Sequence, residues 1–315
     1  MGADTKIEWT DATVNFWWGC TKVGPGCDHC YAEVWSRRTG GGIWGVGVPR
    51  RKIKSAVKLI HRLDNDYSWW AADHYIGQMH ATSRRRVFIQ SMSDLFDIEV
   101  PVEWFAEAWQ HIVSCNRLAI QIVTKRVSVV EKRLAEIGAS WPAHAGLLIS
   151  VVNQAEADRD VPRLIALKAK LGIPWVGLSM EPLLGPVVLR KEWLEHLDWI
   201  IVGGESGAAA RPINPDWVRA LRDQCAAALV AFLFKQWGEW APMSAARIAR
   251  DGPVTDRWGN VADWMSRYVV FDDDAGAARV RGHSFTEHAT DLVYRVGKKS
   301  AGRLLDGVQH DGVPA

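Results

Sequence analysis

Short apolar, β-branched runs alternate with helical patterns along most of this chain, and that rhythm admits few folds. The run 87–90 leads to a polar corner at Ser91, Ser93 and Asp94, and residues 101–115 then repeat apolar side chains at helical spacing. The run 118–123 ends at Thr124-Lys125-Arg126, with a helix following through Leu134. The run 147–152 ends at Asn153, with a helix over 158–171. The run 173–180 ends at Glu181-Pro182. The run 199–202 ends at Gly203-Gly204-Glu205-Ser206-Gly207, with a helix over 215–229, and the run 230–234 ends at Lys235. Continuous apolar strands between helices signal a parallel sheet covered on both faces. These six runs and the segment 14–18 make seven strands, which favours a full or partial parallel (β/α) barrel over a flat doubly wound sheet. In a barrel the C-terminal strand ends share one rim, where active-site groups sit.

Asp94, Lys125, Asn153, Glu181, Glu205 and Lys235 are the polar residues at those ends. Each also has a plainer role. Lys125 and Arg126 can be solvated loop charges, and Asn153 can cap a helix or form a turn. Glu181 can pair with a basic neighbour. The 203–207 stretch resembles an anion-binding turn at a helix start, without Rossmann or P-loop spacing.

Three of five cysteines, Cys20, Cys27 and Cys30, fall on one Gly/Pro-shaped loop with the spacing Cys-x6-Cys-x2-Cys. A closed structural metal site normally takes four protein ligands, so three thiolates leave one position open for substrate or cofactor. Zinc is the rival, with His29 or a distant fourth ligand. No second Cys-x-x-Cys or His pair follows to complete a zinc module. A disulfide would strand one cysteine, and no secretory segment points to an oxidising compartment. Cys115 and Cys225 lie in helical patterns and read as small buried apolar groups. Trp17 and Trp18 precede the loop and can shield a metal centre from water.

At 315 residues with net charge +2 the chain reads as an ordinary globular protein. No apolar run is long enough to span a bilayer, so the expected setting is cytoplasmic, with no membrane partner. Residues 34–62 stand apart. They hold Arg37, Arg38, Arg50, Arg51, Lys52, Lys54, Lys58 and Arg62 and no acid, eight positive against zero negative, or +8. With Trp35 and Trp44, this glycine-rich, basic insert suits a phosphate-rich partner such as nucleic acid. The plainer reading is a solvated loop. The expected organisation is a barrel core over 1–239, interrupted by an insert at about 34–75, and a small α+β extension over 240–315 with a hairpin and a basic tail.

Several motifs carry a family resemblance: Asn15-Phe16-Trp17-Trp18-Gly19-Cys20, Cys27-Asp28-His29-Cys30-Tyr31, Ser91-Met92-Ser93-Asp94, Met180-Glu181-Pro182, Gly203-Gly204-Glu205 and Phe234-Lys235-Gln236. Together they resemble the radical S-adenosylmethionine superfamily and, within it, a phage- and prophage-associated group of three-cysteine-motif proteins. The superfamily's common motif has a shorter first spacing. The resemblance implies a [4Fe–4S] cluster on Cys20, Cys27 and Cys30, S-adenosyl-L-methionine on the open iron, and a flavodoxin- or ferredoxin-like reductant. It places Tyr31 near the adenine, Ser91, Ser93 and Asp94 near the methionine amino group, and Asn153 at the ribose, with Glu205 as a further cofactor contact. Lys125, Glu181, Glu205 and Lys235 are the catalytic candidates. With the basic insert, the implied activity is hydrogen abstraction from a nucleic-acid or nucleotide-like substrate. A radical enzyme acting on a peptide or small metabolite, a non-catalytic zinc protein that binds nucleic acid, and an electron-transfer protein are the alternatives.

Overall fold

The structure is a computed structural model that describes residues 4–38, 41–66, 84–242, 245, 268–271, 278–280 and 292–314. Its elements run β1 (Ala12–Val14), β2 (Trp17–Trp18), α1 (Tyr31–Arg38), β3 (Arg51–Lys52), α2 (Ser55–Asp64), β4 (Arg86–Ile89), α3 (Val102–Ser114), β5 (Ala119–Thr124), α4 (Val130–Glu136), β6 (Ala145–Ser150), α5 (Gln154–Leu171), β7 (Val176–Met180), α6 (Lys191–Leu194), β8 (Trp199–Gly203), α7 (Pro215–Ala228), β9 (Ala231–Gln236), β10 (Trp240–Pro242), β11 (Tyr268–Phe271), β12 (Ala278–Val280), β13 (Leu292–Arg295) and α8 (Lys298–Ala301).

Seven strands form the main sheet in the order β1-β4-β5-β6-β7-β8-β9. The pairings of β1 with β4, β4 with β5, β5 with β6 and β8 with β9 are all parallel. β1 and β9 stand at opposite ends of the order and do not pair, so the fold is a partial rather than a closed α/β barrel. Every residue of β6, β7 and β8 is buried, which is why these strands read as unbroken apolar runs.

Two boundaries differ from expectation. The first main-sheet strand is Ala12–Val14 and overlaps the expected segment 14–18 only at Val14, because the chain leaves the main sheet at Asn15 and Trp17–Trp18 pairs antiparallel with β3 in a separate ribbon. Helix α5 starts at Gln154 rather than 158 because its first turn is doubly capped. The Glu156 N–H donates to Asn153 Oδ1 at 2.9 Å, and the Val152 N–H donates to Glu156 Oε2 at 3.1 Å. Asn153 thus serves as a helix cap. Asn153→Ala is expected to lower unfolding free energy by about 1 kcal/mol and Asn153→Ser by less, read from denaturant midpoints. Equal midpoints for Ala and wild type would remove the capping role.

The chain divides into two compact units, one of residues 1–150, 160–177 and 315, the other of residues 151–159 and 178–314. In the first, α3 buries Phe105, Ala108, Trp109 and Ile112, the stripe that helical periodicity predicts. Phe96, Phe105, Trp109 and Trp141 form its aromatic centre. In the second, the segment after α8 lies along β9. The Phe234 N–H donates to His310 O at 3.1 Å and the Gly312 N–H to Phe232 O at 2.9 Å. This covers backbone groups that an edge strand leaves open. Strands β11 and β12 pair antiparallel, and the turn of the expected hairpin lies outside the described residues. No helix among the described residues is long and apolar enough to cross a membrane.

Candidate metal and cofactor site

The cysteine loop begins at a glycine that nothing else can replace. Gly19 has φ +103°, and a Cβ there would stand 2.2 Å from the Ile43 carbonyl oxygen. Its N–H donates to Met92 O at 3.4 Å. The chain then passes Cys20 and Thr21 and enters a 3-10 turn over Pro25–Cys27. The Cys30 N–H donates to Cys27 O at 3.4 Å, so these two cysteines sit three residues apart on a tight turn, where side chains eclipse. All three loop cysteines are free, Cys27 buried and the other two half-buried. Among the described residues, no three His, Cys, Asp or Glu side chains gather closely enough to share an ion.

Cys20 is held from β5. Arg126 Nη2 donates to Cys20 Sγ at 3.5 Å and to Thr21 O at 2.8 Å. Burial pushes the Cys20 thiol up to about 12, with Asp94 adding to the rise and Arg126 opposing it. Arg126 is not a solvated loop charge. Its side chain is 9 % exposed and lies 3.9 Å from Asp94 and 3.7 Å from Asp97. Asp94 itself is fully engaged. It accepts from the Thr124 hydroxyl at 2.8 Å, the Lys125 N–H at 3.0 Å and the Phe96 N–H at 3.0 Å. Behind the loop lies Arg50, wholly buried. Its Nε donates to Asp97 Oδ2 at 2.9 Å, and Nη2 donates to Thr21 Oγ1 at 2.6 Å with Glu99 at 3.3 Å.

The end of β4 is tied to the same loop. Gln90 has φ +67°, a strained backbone for a residue with a side chain. The Phe16 N–H donates to its Oε1 at 2.8 Å. Buried Asn15 donates to Ser91 Oγ at 2.9 Å and accepts from the Met92 N–H at 2.7 Å. Tyr31, exposed at the start of α1, donates its hydroxyl to Ser91 O. Ser93 donates to Trp17 O at 3.0 Å. Tyr31, Ser91, Ser93, Asp94 and the three cysteines therefore share one neighbourhood in the first unit. Lys125 points its Nζ at Ser150 Oγ, 3.0 Å away.

The second unit holds its own polar group. Lys235 Nζ pairs with Glu181 Oε2 at 2.9 Å, while Glu181 Oε1 is buried with no hydrogen-bond partner among the described residues. Gly203 makes room for it, since a Cβ there would stand 2.8 Å from that oxygen. Glu205 is consumed by Arg211, whose N–H, Nε and Nη2 donate to it at 2.8, 2.9 and 2.6 Å. The 203–207 stretch is not at a helix start, because α7 begins only at Pro215.

A family model described as Protein of unknown function (DUF5131) matches residues 4–314. The chain belongs to that family. No curated protein matches it. Among solved structures, a spore photoproduct lyase double mutant with bound AdoMet and dinucleoside spore photoproduct is similar at 14% identity and TM-score 0.36, over 86% of this chain and 68% of that one. A spore photoproduct lyase complexed with the dinucleoside spore photoproduct is similar at 13% identity and TM-score 0.34, over 85% and 67%. The phage association has no support among these matches.

In this family member the basic insert is only partly free. Besides Arg50, Lys52 pairs with Glu107 and Arg37 with Glu33, while Arg51 stacks over Trp18 at 4.7 Å. Arg38, Lys54, Lys58 and Arg62 are exposed. The glycine-rich stretch of the insert is tied down at Gly45, whose N–H donates to Cys20 O at 3.0 Å and whose carbonyl accepts from Arg50 at 3.0 Å. Sequence reasoning counted Arg50 as one basic residue of a run and quoted Asn15 in a motif, but gave neither of them, nor Gln90, a part in holding the loop. An Asn or Gln set against an apolar run was the available signal for the last two. Cys115 and Cys225 are fully buried as expected, and burial pushes them up to about 11 and about 12.

Proposed function

We propose that this protein is a radical S-adenosylmethionine iron–sulfur enzyme, with Cys20, Cys27 and Cys30 as ligands of a [4Fe–4S] cluster. The observation that carries this is three free thiols on one loop beside β4 and β5, one of them under a guanidinium donor. The donor set fits: soft thiols that no disulfide occupies, with a cation beside a sulfur that must deprotonate to ligate. Drawing the three sulfurs about one centre is left to binding itself. When bound, the cluster and S-adenosylmethionine supply a 5'-deoxyadenosyl radical that abstracts a substrate hydrogen, with the electron delivered by a flavodoxin- or ferredoxin-like protein in a reducing, cytoplasmic setting.

The chain's own part is to hold and enclose. Gly19 sets the loop's entry, Arg126 holds Cys20, and Trp17, fully buried, keeps water from the loop's root. Tyr31, next to Cys30 in the chain, and Ser91, whose carbonyl the Tyr31 hydroxyl engages, are proposed cofactor contacts. Asp94, Ser93, Asn153 and Glu205 act through the backbone and side-chain bonds just described. In the second unit, Glu181 and Lys235 are the proposed proton-handling pair, with Lys125 a further candidate in the first. The substrate class proposed is nucleic acid or a nucleotide, on the strength of exposed Arg38, Lys54, Lys58 and Arg62 with Tyr31 and Trp35.

The test is anaerobic reconstitution with iron and sulfide. About four irons per chain are expected, with a reduced-state paramagnetic resonance spectrum that S-adenosylmethionine perturbs. A Cys20/Cys27/Cys30→Ala triple variant should lose both. One zinc per chain with no sulfide would overturn the reading in favour of a non-catalytic zinc protein.

A further inference from the structure

We propose that Arg126 is a positioning residue whose charged N–H···S bond fixes the Cys20 sulfur and raises the reduction potential of the cluster. This rests on the iron–sulfur reading above and goes beyond it, since nothing in a three-cysteine spacing names a residue that tunes the centre. Among the described residues about the loop, Arg126 aims a donor at a loop sulfur, Nη2 to Cys20 Sγ at 3.5 Å. The same nitrogen donates to Thr21 O at 2.8 Å, so it grips the backbone beside the ligand as well as the ligand.

The guanidinium is not free to swing away. The Arg126 backbone N–H donates to Thr124 Oγ1 at 2.9 Å and fixes the root of the side chain at the end of β5. Asp94 and Asp97 flank it at 3.9 and 3.7 Å. These carboxylates are in turn held by the β5 end and by Arg50. Arg126 Nε is buried and has no hydrogen-bond partner among the described residues, so donor capacity at this spot exceeds what the protein itself uses.

The effect on potential follows from charge. The reduced cluster carries one more electron than the oxidised one, and part of that charge resides on sulfur. A donor aimed at the sulfur stabilises the reduced form more, so the potential rises. Arg50 and Arg126 face Asp94, Asp97 and Glu99 here, two positive charges against three negative, so the stabilisation of the reduced form comes from the directed hydrogen bond and not from a net positive field. Lysine would keep the charge but present a compact, mobile donor in place of a planar fork anchored at two points.

The experiment compares wild type, Arg126→Met and Arg126→Lys after identical anaerobic reconstitution. Iron and sulfide are measured first. The midpoint potential is then read by paramagnetic resonance across a dithionite-poised series, without S-adenosylmethionine, so no turnover enters. Arg126→Met should titrate at a lower potential than wild type, with shifted g-values, and Arg126→Lys should fall between. Arg37→Ala, a surface change on α1, should leave the midpoint in place. Assembled variants with the wild-type midpoint and spectrum would overturn the proposal and leave Arg126 a purely structural clamp. Should Arg126→Met take up no cluster, the Lys variant decides alone: a lowered midpoint supports the proposal and an unchanged one overturns it. Wild type without iron and sulfide would instead bring down the iron–sulfur reading, and this inference with it.

Discussion

Arg50→Ala is expected to lower unfolding free energy by about 3–5 kcal/mol, whereas Lys52→Ala, two positions on, should change it by less than about 1 kcal/mol. Both belong to one unbroken basic run. Arg50 and Asp97 are each 0% exposed, and removing the guanidinium leaves a buried carboxylate short of its main partner. It also strips donors from Thr21, Glu99 and the carbonyls of Gly45 and Val48. Lys52 and Glu107 are 36% and 40% exposed, so water screens that pair and replaces it when it is lost. Denaturant melts of both variants, with unchanged slope, measure the contrast. Similar small losses would mean that the Arg50 network does not hold the cysteine loop.

Gly204→Ala should be strongly damaging to the second unit, with a loss of about 3 kcal/mol or more. An added Cβ would sit 1.9 Å from the Trp237 carbonyl oxygen and 2.6 Å from its carbon. Neither is a side chain that can rotate away. Gly238 meets the same wall from the other side, since its Cβ would stand 2.1 Å from Glu205 O. The two backbones are locked by the Gly204 N–H to Gln236 O at 2.9 Å and the Glu239 N–H to Glu205 O at 3.0 Å. Gly42→Ala is the comparison. Nothing lies within 4 Å of a Cβ there, and the change should stay within about 0.5 kcal/mol. The melting midpoints of the two variants decide it, and overlapping curves would refute the close-packing account.

That account also changes what the 203–207 glycines mean. As a string they resemble an anion cradle. In the fold, Gly203 clears space for Glu181 and Gly204 for a neighbouring carbonyl. The same residue type answers both needs, because a missing Cβ allows any close approach, and a string does not say what approaches.

Periodicity is local, so the sequence by itself determined six of the seven main-sheet strands and the long helices between them, whereas the first strand, Ala12–Val14, meets the expected segment 14–18 only at Val14. It also placed three thiols, Cys20, Cys27 and Cys30, as neighbours along one loop, because thiol chemistry belongs to the residue. Where local chemistry competes with periodicity the boundary moved, as at Asn153, whose side chain starts α5 early. Only the tertiary structure decided which charges are buried and which groups meet. Arg50 reaches Asp97 across 47 positions of chain, and Arg126 reaches Cys20 across 106. Burial and ion pairing depend on what packs against a residue from afar, and a run of like charges looks the same whether its members face water or a buried carboxylate.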